Sequence, residues 1–120
     1  MNVSVITVTW NSKDFIIQQI QSVKDAAKNV RIEQIIIDNG STDGTVQAIQ
    51  ETFPKISVIA NSENKGFGVA NNQGVTISKG EYVLFLNPDM VLHPGSLDIF
   101  IDWMGKNKHV GIASPRLLNK

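Results

Sequence analysis

A chain of 120 residues is long enough to bury one hydrophobic core, so we expect a single domain. Its 11 Lys and Arg residues balance its 11 Asp and Glu residues, which argues against a nucleic-acid-binding surface or a polybasic membrane arm. The absence of cysteine excludes disulfides, zinc–cysteine sites and thiol catalysis. No apolar stretch approaches the roughly 20 residues that span a bilayer, and the N-terminus lacks a basic segment, so the sequence predicts a soluble domain of the cytosolic type.

The first elements in chain order are a strand, a helix and a strand. Residues 3–9 are β-branched and apolar, which predicts a strand. Asn11, Ser12 and Asp14 then offer caps for a helix. Apolar residues three or four apart are expected on its buried face: Phe15, Ile16, Ile20, Val23 and Ala27. Residues 31–38 predict the second strand.

The middle of the chain repeats this alternation. A loop at residues 40–44 precedes a predicted helix at 45–53, and Pro54 ends that helix. Residues 56–60 predict the third strand. A polar loop then leads into a helix predicted at 68–78.

The last elements complete the pattern. Residues 81–86 are an apolar run that predicts a buried fourth strand, and a helix is predicted from Ser96 to Met104. Residues 110–114 predict a fifth strand. Strands that alternate with helices predict an α/β fold with a mostly parallel central sheet and helices on both faces.

Two of the predicted strands end in acidic segments. Asp38 and Asn39 end the second strand, and Asn87-Pro88-Asp89 follows the fourth. Open α/β sheets bind their ligands at the carboxyl ends of strands, and Pro88 restricts the backbone just before Asp89. Each segment alone also fits a polar turn that merely ends a strand. The two together favour a ligand site.

Two common phosphate-binding motifs are missing. A dinucleotide-binding fold needs G-x-G-x-x-G after its first strand, but residues 9–13 contain no glycine. Gly66 and Gly68 supply two such glycines only after the third strand, with Asn71 in place of the last one. No Walker loop occurs, so a P-loop kinase or ATPase is excluded.

The remaining polar and aromatic groups suit the parts of a nucleotide-linked ligand. Trp10 offers a flat face for stacking a base, although a tryptophan beside a strand also fits the core. Asp38 or Asn39 offers an acceptor for a base imide N–H or a ribose hydroxyl. Asp89 offers a hard oxygen ligand for a divalent cation that neutralises phosphates.

The chain resembles the N-terminal, donor-binding half of inverting family-two glycosyltransferases, which have the Rossmann-like GT-A fold. Four segments carry the resemblance: 5–12 (VITVTWNS), 37–45 (IDNGSTDGT), 64–74 (NKGFGVANNQG) and 84–89 (LFLNPD). They occur in order across almost the whole chain. The third and fourth most resemble the branch that contains rhamnosyltransferases of surface polysaccharide assembly.

The resemblance implies roles for matched positions. It implies nucleotide-sugar contacts from eight residues: Val8, Trp10, Asn11, Asp38, Asn39, Gly66, Asn71 and Asn87. Asp89 matches the last Asp of the family's D-x-D element and is the implied ligand of Mg²⁺ or Mn²⁺. Asn39 and Asn87 each replace a family Asp, which implies a weaker base contact and a modest metal affinity.

The implied reaction is displacement at the anomeric carbon of a dTDP- or UDP-linked sugar by a hydroxyl of a saccharide or glycolipid acceptor. Residues 1–120 are then expected to be the donor-binding domain, with the acceptor-binding half and the general base after residue 120 and no turnover by this part alone. Asp98 and Asp102 are expected on the solvent face of a helix. A cytoplasmic location is expected, free or at the inner face of the cell membrane in the full-length protein.

Two other classes stay open on the sequence. One is a noncatalytic nucleotide-binding module, and the other is a self-associating domain with exposed apolar surface. A nucleotidyltransferase is disfavoured because no basic, glycine-rich loop follows the first strand.

Overall fold

The computed structural model describes residues 2–116 and 118, in which strands and helices alternate. The strands are β1 (Val3–Thr9), β2 (Ile32–Asp38), β3 (Ser57–Ala60) and β4 (Tyr82–Phe85). The helices are α1 (Lys13–Ala26), α2 (Thr45–Thr52), α3 (Phe67–Ile77) and α4 (Ser96–Lys106). The predicted order of elements up to α4 is confirmed, with ends that differ by one or two residues.

The sheet is parallel throughout, in the order β3-β2-β1-β4. β1 is central and pairs with β2 over its whole length, from Val3 opposite Ile32 to Thr9 opposite Asp38. Because parallel neighbours require crossover connections, each helix packs on a face of the sheet. The predicted α/β class with a parallel sheet is confirmed.

The alternation of side chains along the strands builds a core on each face. Val3 and Val5 of β1 face α1 and α4, where they pack with Val23 and Leu97. Ile6, which points the other way, packs with residues of β2 and with α3. Helices therefore cover both faces, as predicted.

One glycine sets the distance between α3 and the sheet. A Cβ atom built on Gly74 would lie 2.6 Å from Cγ2 of Ile6, far inside van der Waals contact. Gly74 thus lets the helix backbone approach the side chain of a fully buried residue. The same helix begins at the carboxyl edge of the sheet, so this contact also fixes the position of its N-terminus.

The prediction of a buried fourth strand is wrong, because β4 lies at an edge of the sheet. Leu84 and Leu86 face the α1 and α4 layer. Val83 and Phe85 point to the other face, where they are 37% and 52% exposed. The described helices leave that face of β4 only partly covered, so the apolar run is half exposed.

The buried face of α1 is also rotated from the predicted one. Phe15 is 53% exposed, because a helix turns about 100° per residue and the buried stripe begins at Ile16. The buried residues of this stripe are Ile16, Gln19, Ile20, Ser22, Val23 and Ala26. Two of them, Gln19 and Ser22, are polar.

Asp98 is partly exposed, but its side chain is not free in solvent. Its carboxylate accepts hydrogen bonds from the backbone N–H groups of Lys28, Asn29 and Val30, at 3.0 to 3.2 Å. It therefore ties α4 to the loop between α1 and β2. Asp102, one turn further on, is exposed and pairs with Lys106 at 3.0 Å, as expected for the solvent face.

The predicted fifth strand at residues 110–114 does not form in the described part of the chain. Ile112 is 93% exposed, and a β-ladder needs a neighbouring strand that this segment does not meet. Among the described residues, no helix is both long and apolar enough to traverse a lipid bilayer.

Candidate functional site

A cleft of about 310 Å³ lies at the edge of the sheet where β1, β2 and β4 end. This volume falls within the range of small-molecule sites. Its walls come from the strand ends and the loops that follow them: Val8, Thr9, Trp10, Ser12, Asn39, Asn64, Phe67, Asn87 and Pro88. Asp38 and Asp89 belong to this same edge, as the sequence predicted.

Two aromatic side chains contribute to the walls of the cleft. Trp10, directly after β1, is 57% exposed, so the alternative of a core tryptophan is wrong. Phe67, the first residue of α3, is 60% exposed and lines the same cleft. Exposed aromatic rings next to a cavity are suited to stacking on a flat ligand.

Asp38 shapes the loop after β2. It is 2% exposed, and its carboxylate accepts from the backbone N–H groups of Gly40 and Ser41 and from the Ser41 hydroxyl, at 3.2, 2.9 and 2.5 Å. These bonds turn the chain immediately after the strand. The side chain is therefore engaged by its own loop and does not line the cleft.

Asn39 joins the second strand to the loop before α3. Its Oδ1 accepts from the Asn61 amide at 3.1 Å and from the Lys65 backbone N–H at 3.3 Å, and its Nδ2 donates to the Gly66 carbonyl at 3.2 Å. Both lone pairs of the amide oxygen are thus used. The predicted contact from this oxygen to a base would have to displace one of these bonds.

The loop before α3 is held by further amides. Asn61 and Gln73 exchange two hydrogen bonds, at 2.8 and 3.0 Å. Asn64 accepts from the backbone N–H of Gly66, which has a φ of 86° that favours glycine. Gly66 therefore shapes the loop, while Asn64 lines the cleft in its place.

Asn11 locks two loops together. Its φ of 48° lies in the left-handed region that asparagine tolerates better than most residues. Its backbone N–H donates to the Ser41 hydroxyl and its side-chain oxygen accepts from Thr42, both at 2.8 Å. Asn11 thus ties the loop that carries Trp10 to the loop after β2, and it does not line the cleft.

A second set of bonds strengthens this junction. The Ser12 backbone N–H donates to the Thr45 hydroxyl, and that of Lys13 donates to Asp43. The hydrogen bond from the Thr45 hydroxyl holds the pKa of Asp43 below its usual value, with help from the backbone N–H groups of Lys13 and Thr45 against a rise from partial desolvation. Asp43 therefore stays ionised and supports the loop.

The segment after β4 forms a tight turn. The Met90 backbone N–H donates to the Asn87 carbonyl at 3.1 Å, with Pro88 and Asp89 in the middle of the turn. Proline suits this position because its fixed φ matches the first central residue of a turn. Asn87 and Asp89 are exposed, and Asn87 and Pro88 line the cleft.

A metal ion at this site would need further oxygen ligands from a molecule bound in the cleft. No cluster of three or more His, Cys, Asp or Glu side chains occurs within residues 2–116 and 118. Asp89 offers an exposed carboxylate next to Pro88, which lines the cleft. This donor fits a hard divalent cation that is held jointly by the protein and by phosphate oxygens.

The structure brings together only part of the predicted site. Val8, Trp10, Asn39 and Asn87 line the cleft, whereas Asn71 lies further along α3, half-buried. Five more residues line the cleft without having been predicted as individual contacts: Thr9, Ser12, Asn64, Phe67 and Pro88. All five stand in the segments 5–12, 64–74 and 84–89 that carry the family resemblance, which was the signal for them.

A parallel sheet with a ligand-sized cleft at its carboxyl edge defines a Rossmann-like α/β domain. Residues 4–119 match the family described as Glycosyl transferase family 2, and the chain belongs to that family.

Curated relatives agree with this assignment. A Bacillus subtilis (strain 168) glycosyltransferase assigned to teichuronic acid biosynthesis, TuaG, is 39% identical over 90 residues, which cover 72% of this chain and 35% of the relative. The N-acetylglucosaminyl-diphospho-decaprenol L-rhamnosyltransferase of Mycobacterium tuberculosis (strain H37Rv) is 28% identical over 122 residues, covering 92% and 39%. The chain thus spans somewhat more than a third of the length of these two relatives.

Solved structures have the same fold. S. aureus TarS 1–349 in complex with UDP superposes with a TM-score of 0.80 at 25% identity, over 90% of this chain and 33% of that one. TarS 1–349 in complex with UDP-GlcNAc superposes with a TM-score of 0.79 at 27% identity, over 90% of this chain and 32% of TarS 1–349. The mannosyltransferase PcManGT from Pyrobaculum calidifontis, in complex with GDP-Man and Mn²⁺, superposes with a TM-score of 0.77 at 24% identity, over 86% of this chain and 32% of PcManGT. At this identity the match supports the fold alone.

Proposed function

We propose that residues 1–120 are the donor-binding domain of a glycosyltransferase and bind a nucleoside-diphosphate sugar in the cleft at the carboxyl edge of the sheet. The observation that carries this proposal is the pair of exposed aromatic residues, Trp10 and Phe67, on the walls of that cleft. Large apolar side chains are seldom left exposed beside a cavity without a ligand to cover them.

The parts of the ligand are assigned by chemistry. The base stacks on Trp10, with Phe67 as a second apolar contact, and the ribose lies against Val8. The diphosphate extends toward Asn87 and Asp89, where the amide donates to phosphate oxygens. Asp38 and Asn39 act by holding the loops that form the wall, and Asn11, Gly66 and Asn71 support the same loops.

Asp89 is the proposed ligand of Mg²⁺ or Mn²⁺, which when bound neutralises the diphosphate leaving group. With one carboxylate in place of two, the protein alone binds the cation weakly, and donor and cation bind together. The proposed reaction is an inverting displacement, in which an acceptor hydroxyl attacks the anomeric carbon. The general base that deprotonates this hydroxyl is proposed to lie outside residues 1–120.

The donor is proposed to be dTDP- or UDP-linked, and the sugar to be rhamnose. The likeness to the mycobacterial L-rhamnosyltransferase supports rhamnosyl transfer, and the TarS complexes support a uridine nucleotide. A saccharide or glycolipid is the proposed acceptor. These substrates are consistent with a cytoplasmic location, at the inner face of the membrane for a lipid-linked acceptor.

Calorimetric titration of the chain with UDP, dTDP and GDP, each with and without Mn²⁺, tests the proposal. We expect one nucleotide to bind more tightly with Mn²⁺. Asp89→Ala should remove this metal-dependent gain, and Trp10→Ala should weaken binding about 5- to 150-fold, the equivalent of about 1–3 kcal/mol of stacking. Asp102→Ala and Trp103→Ala, exposed carboxylate and aromatic variants on α4, are the matched controls.

Two results would contradict the proposal. If no nucleotide binds, the noncatalytic nucleotide-binding alternative fails with the proposal, and sedimentation at increasing concentration tests the self-associating alternative. If Asp89→Ala retains the full gain from Mn²⁺, the cation is held elsewhere.

A further inference from the structure

Gln19 is a polar residue in the middle of the apolar face of α1. Its side chain is fully buried, between the turns of the helix that carry Ile16, Ile20 and Val23. Burying an amide is unfavourable unless its hydrogen bonds are replaced. Within the described residues its Oε1 atom has no hydrogen-bond partner, so packing alone does not account for a glutamine here.

The Nε2 group of Gln19 reaches the turn that carries Asp89. It donates to the Thr7 hydroxyl at 2.7 Å and to the Asn87 carbonyl at 3.3 Å. A backbone carbonyl only accepts, so the amide is oriented with its nitrogen toward Asn87. The same carbonyl accepts from Met90 and closes the turn, so Gln19 holds the atom on which the turn is built.

One helical turn later, α1 holds the other end of the same segment. The Ser22 hydroxyl donates to the Gln19 carbonyl at 2.7 Å and accepts from the backbone N–H of Leu92 at 3.1 Å. The loop from residue 87 to 92 is therefore fastened at both ends to one rigid helix. Asp89 and the cleft residues Asn87 and Pro88 lie at or near the end that Gln19 holds.

We propose that Gln19 is a positioning residue, which fixes the turn at residues 87–90 so that the Asp89 carboxylate is held at the diphosphate end of the donor site. It touches neither donor nor cation and acts through the Asn87 carbonyl. The role of Asp89 in this statement rests on the proposed function, whereas the attachment of the turn does not.

Gln19→Leu is the informative variant, because it removes the donor and keeps a similar volume. Gln34→Leu is the matched control: Gln34 is also buried and donates to a backbone carbonyl of α1, that of Ile20 at 3.3 Å, but it lies in β2 away from the cleft. Both variants lose one buried amide. Only Gln19→Leu loses a bond to the turn.

The first measurement is amide hydrogen exchange without ligand. In Gln19→Leu the Met90 amide should exchange at least about tenfold faster than in the wild type, because the carbonyl that it binds is no longer fixed. The melting temperature should stay within a few degrees, since a buried amide with an unpaired oxygen is replaced by an apolar group. Equal exchange at Met90 in the Gln19→Leu and Gln34→Leu variants would overturn the proposal.

The second measurement is nucleotide binding with and without Mn²⁺. In Gln19→Leu, the gain in nucleotide affinity on adding Mn²⁺ should be about tenfold smaller than in the wild type, while the affinity without metal should change less than about twofold. A general loss of structure would reduce both affinities. If the wild type shows no metal-dependent gain, the proposed function fails, while the exchange result still decides the role of Gln19. Unchanged metal dependence in Gln19→Leu, with a gain present in the wild type, would refute the positioning of Asp89.

A titratable replacement gives a further signature. In Gln19→Glu, a protonated carboxyl can donate to the Asn87 carbonyl and an ionised one cannot. Exchange at Met90 should therefore be near wild type at low pH and rise relative to wild type as pH increases through the pKa of the new carboxyl, which burial raises. The groups facing it are the Thr7 hydroxyl and the Asn87 carbonyl, neither of which titrates in this range. A pH-independent ratio of the two exchange rates would count against the hydrogen bond as the cause.

Discussion

Replacing Gly74 by alanine should push α3 away from the sheet, although alanine is the better helix former. The exchange favours the helix by about 1 kcal/mol. Against this, the new methyl group would lie 2.6 Å from Cγ2 and 3.1 Å from Cδ1 of Ile6, where carbon atoms prefer about 3.5 to 4.0 Å. Cγ2 is bonded to the Cβ of a fully buried, β-branched side chain and cannot swing away. Overpacking of this kind costs about 1–3 kcal/mol, so we expect a net loss of stability of up to about 2 kcal/mol.

Gly68→Ala is the control in the same helix, because nothing lies within 4 Å of a Cβ at that position. It should stabilise the chain by up to about 1 kcal/mol. Urea and thermal unfolding followed by circular dichroism measure the difference in stability between the variants, which should equal the overpacking cost of about 1–3 kcal/mol. In a Gly74→Ala background, Ile6→Ala should reduce the free energy of unfolding by at least about 1 kcal/mol less than it does in the wild type. The two sites are in contact, so shortening Ile6 relieves the overpacking. Equal stabilisation by both glycine replacements would refute this account of helix packing.

Two more changes test the hydrogen bonds that hold the fold and the site. Asp98→Asn should lower the melting temperature more than Asp102→Asn at pH 7, and the difference should vanish in acid. Partial desolvation raises the pKa of Asp98. The hydrogen bonds that its carboxylate accepts from backbone N–H groups lower the pKa by more, so the pKa lies below its usual value. Its contribution is therefore present above the unfolded pKa near 4 and is lost as pH falls through the folded value, and a difference that grows in acid would contradict this sign. Asn39→Asp should destabilise the chain by about 1–3 kcal/mol at neutral pH, because a carboxylate oxygen would replace the Nδ2 group that donates to the Gly66 carbonyl. Urea unfolding at pH 7 measures this loss, and stability equal to that of the wild type would speak against it.

Much of the fold follows from local patterns along the chain. The β-branched residues of β1 and β2 and the regular alternation with helices predicted a parallel α/β sheet, because few other arrangements bury such strands on both faces. The carboxyl edge follows from the same topology, so the sequence alone places Trp10 and Asp89 there.

Other features depend on neighbours that a local pattern does not contain. The apolar residues of β4 gave no sign that Phe85 would stand on an open face, since burial depends on what covers the strand. Asn39 was expected to face a base, but its partners Asn61 and Lys65 are 22 and 26 residues away. Asp98 likewise finds its partners about 70 residues away. The binding roles of the site residues remain predictions.

Uncharged amides make many of the hydrogen bonds that hold the walls of the cleft, from Gln19, Asn39, Asn61 and Gln73. Such groups neither gain nor lose protons in the ordinary pH range, so their geometry is insensitive to acidity. Changes of donor affinity with pH should then owe little to these amide bonds. The part of the cleft wall that they hold keeps its geometry while the charge on a bound diphosphate changes.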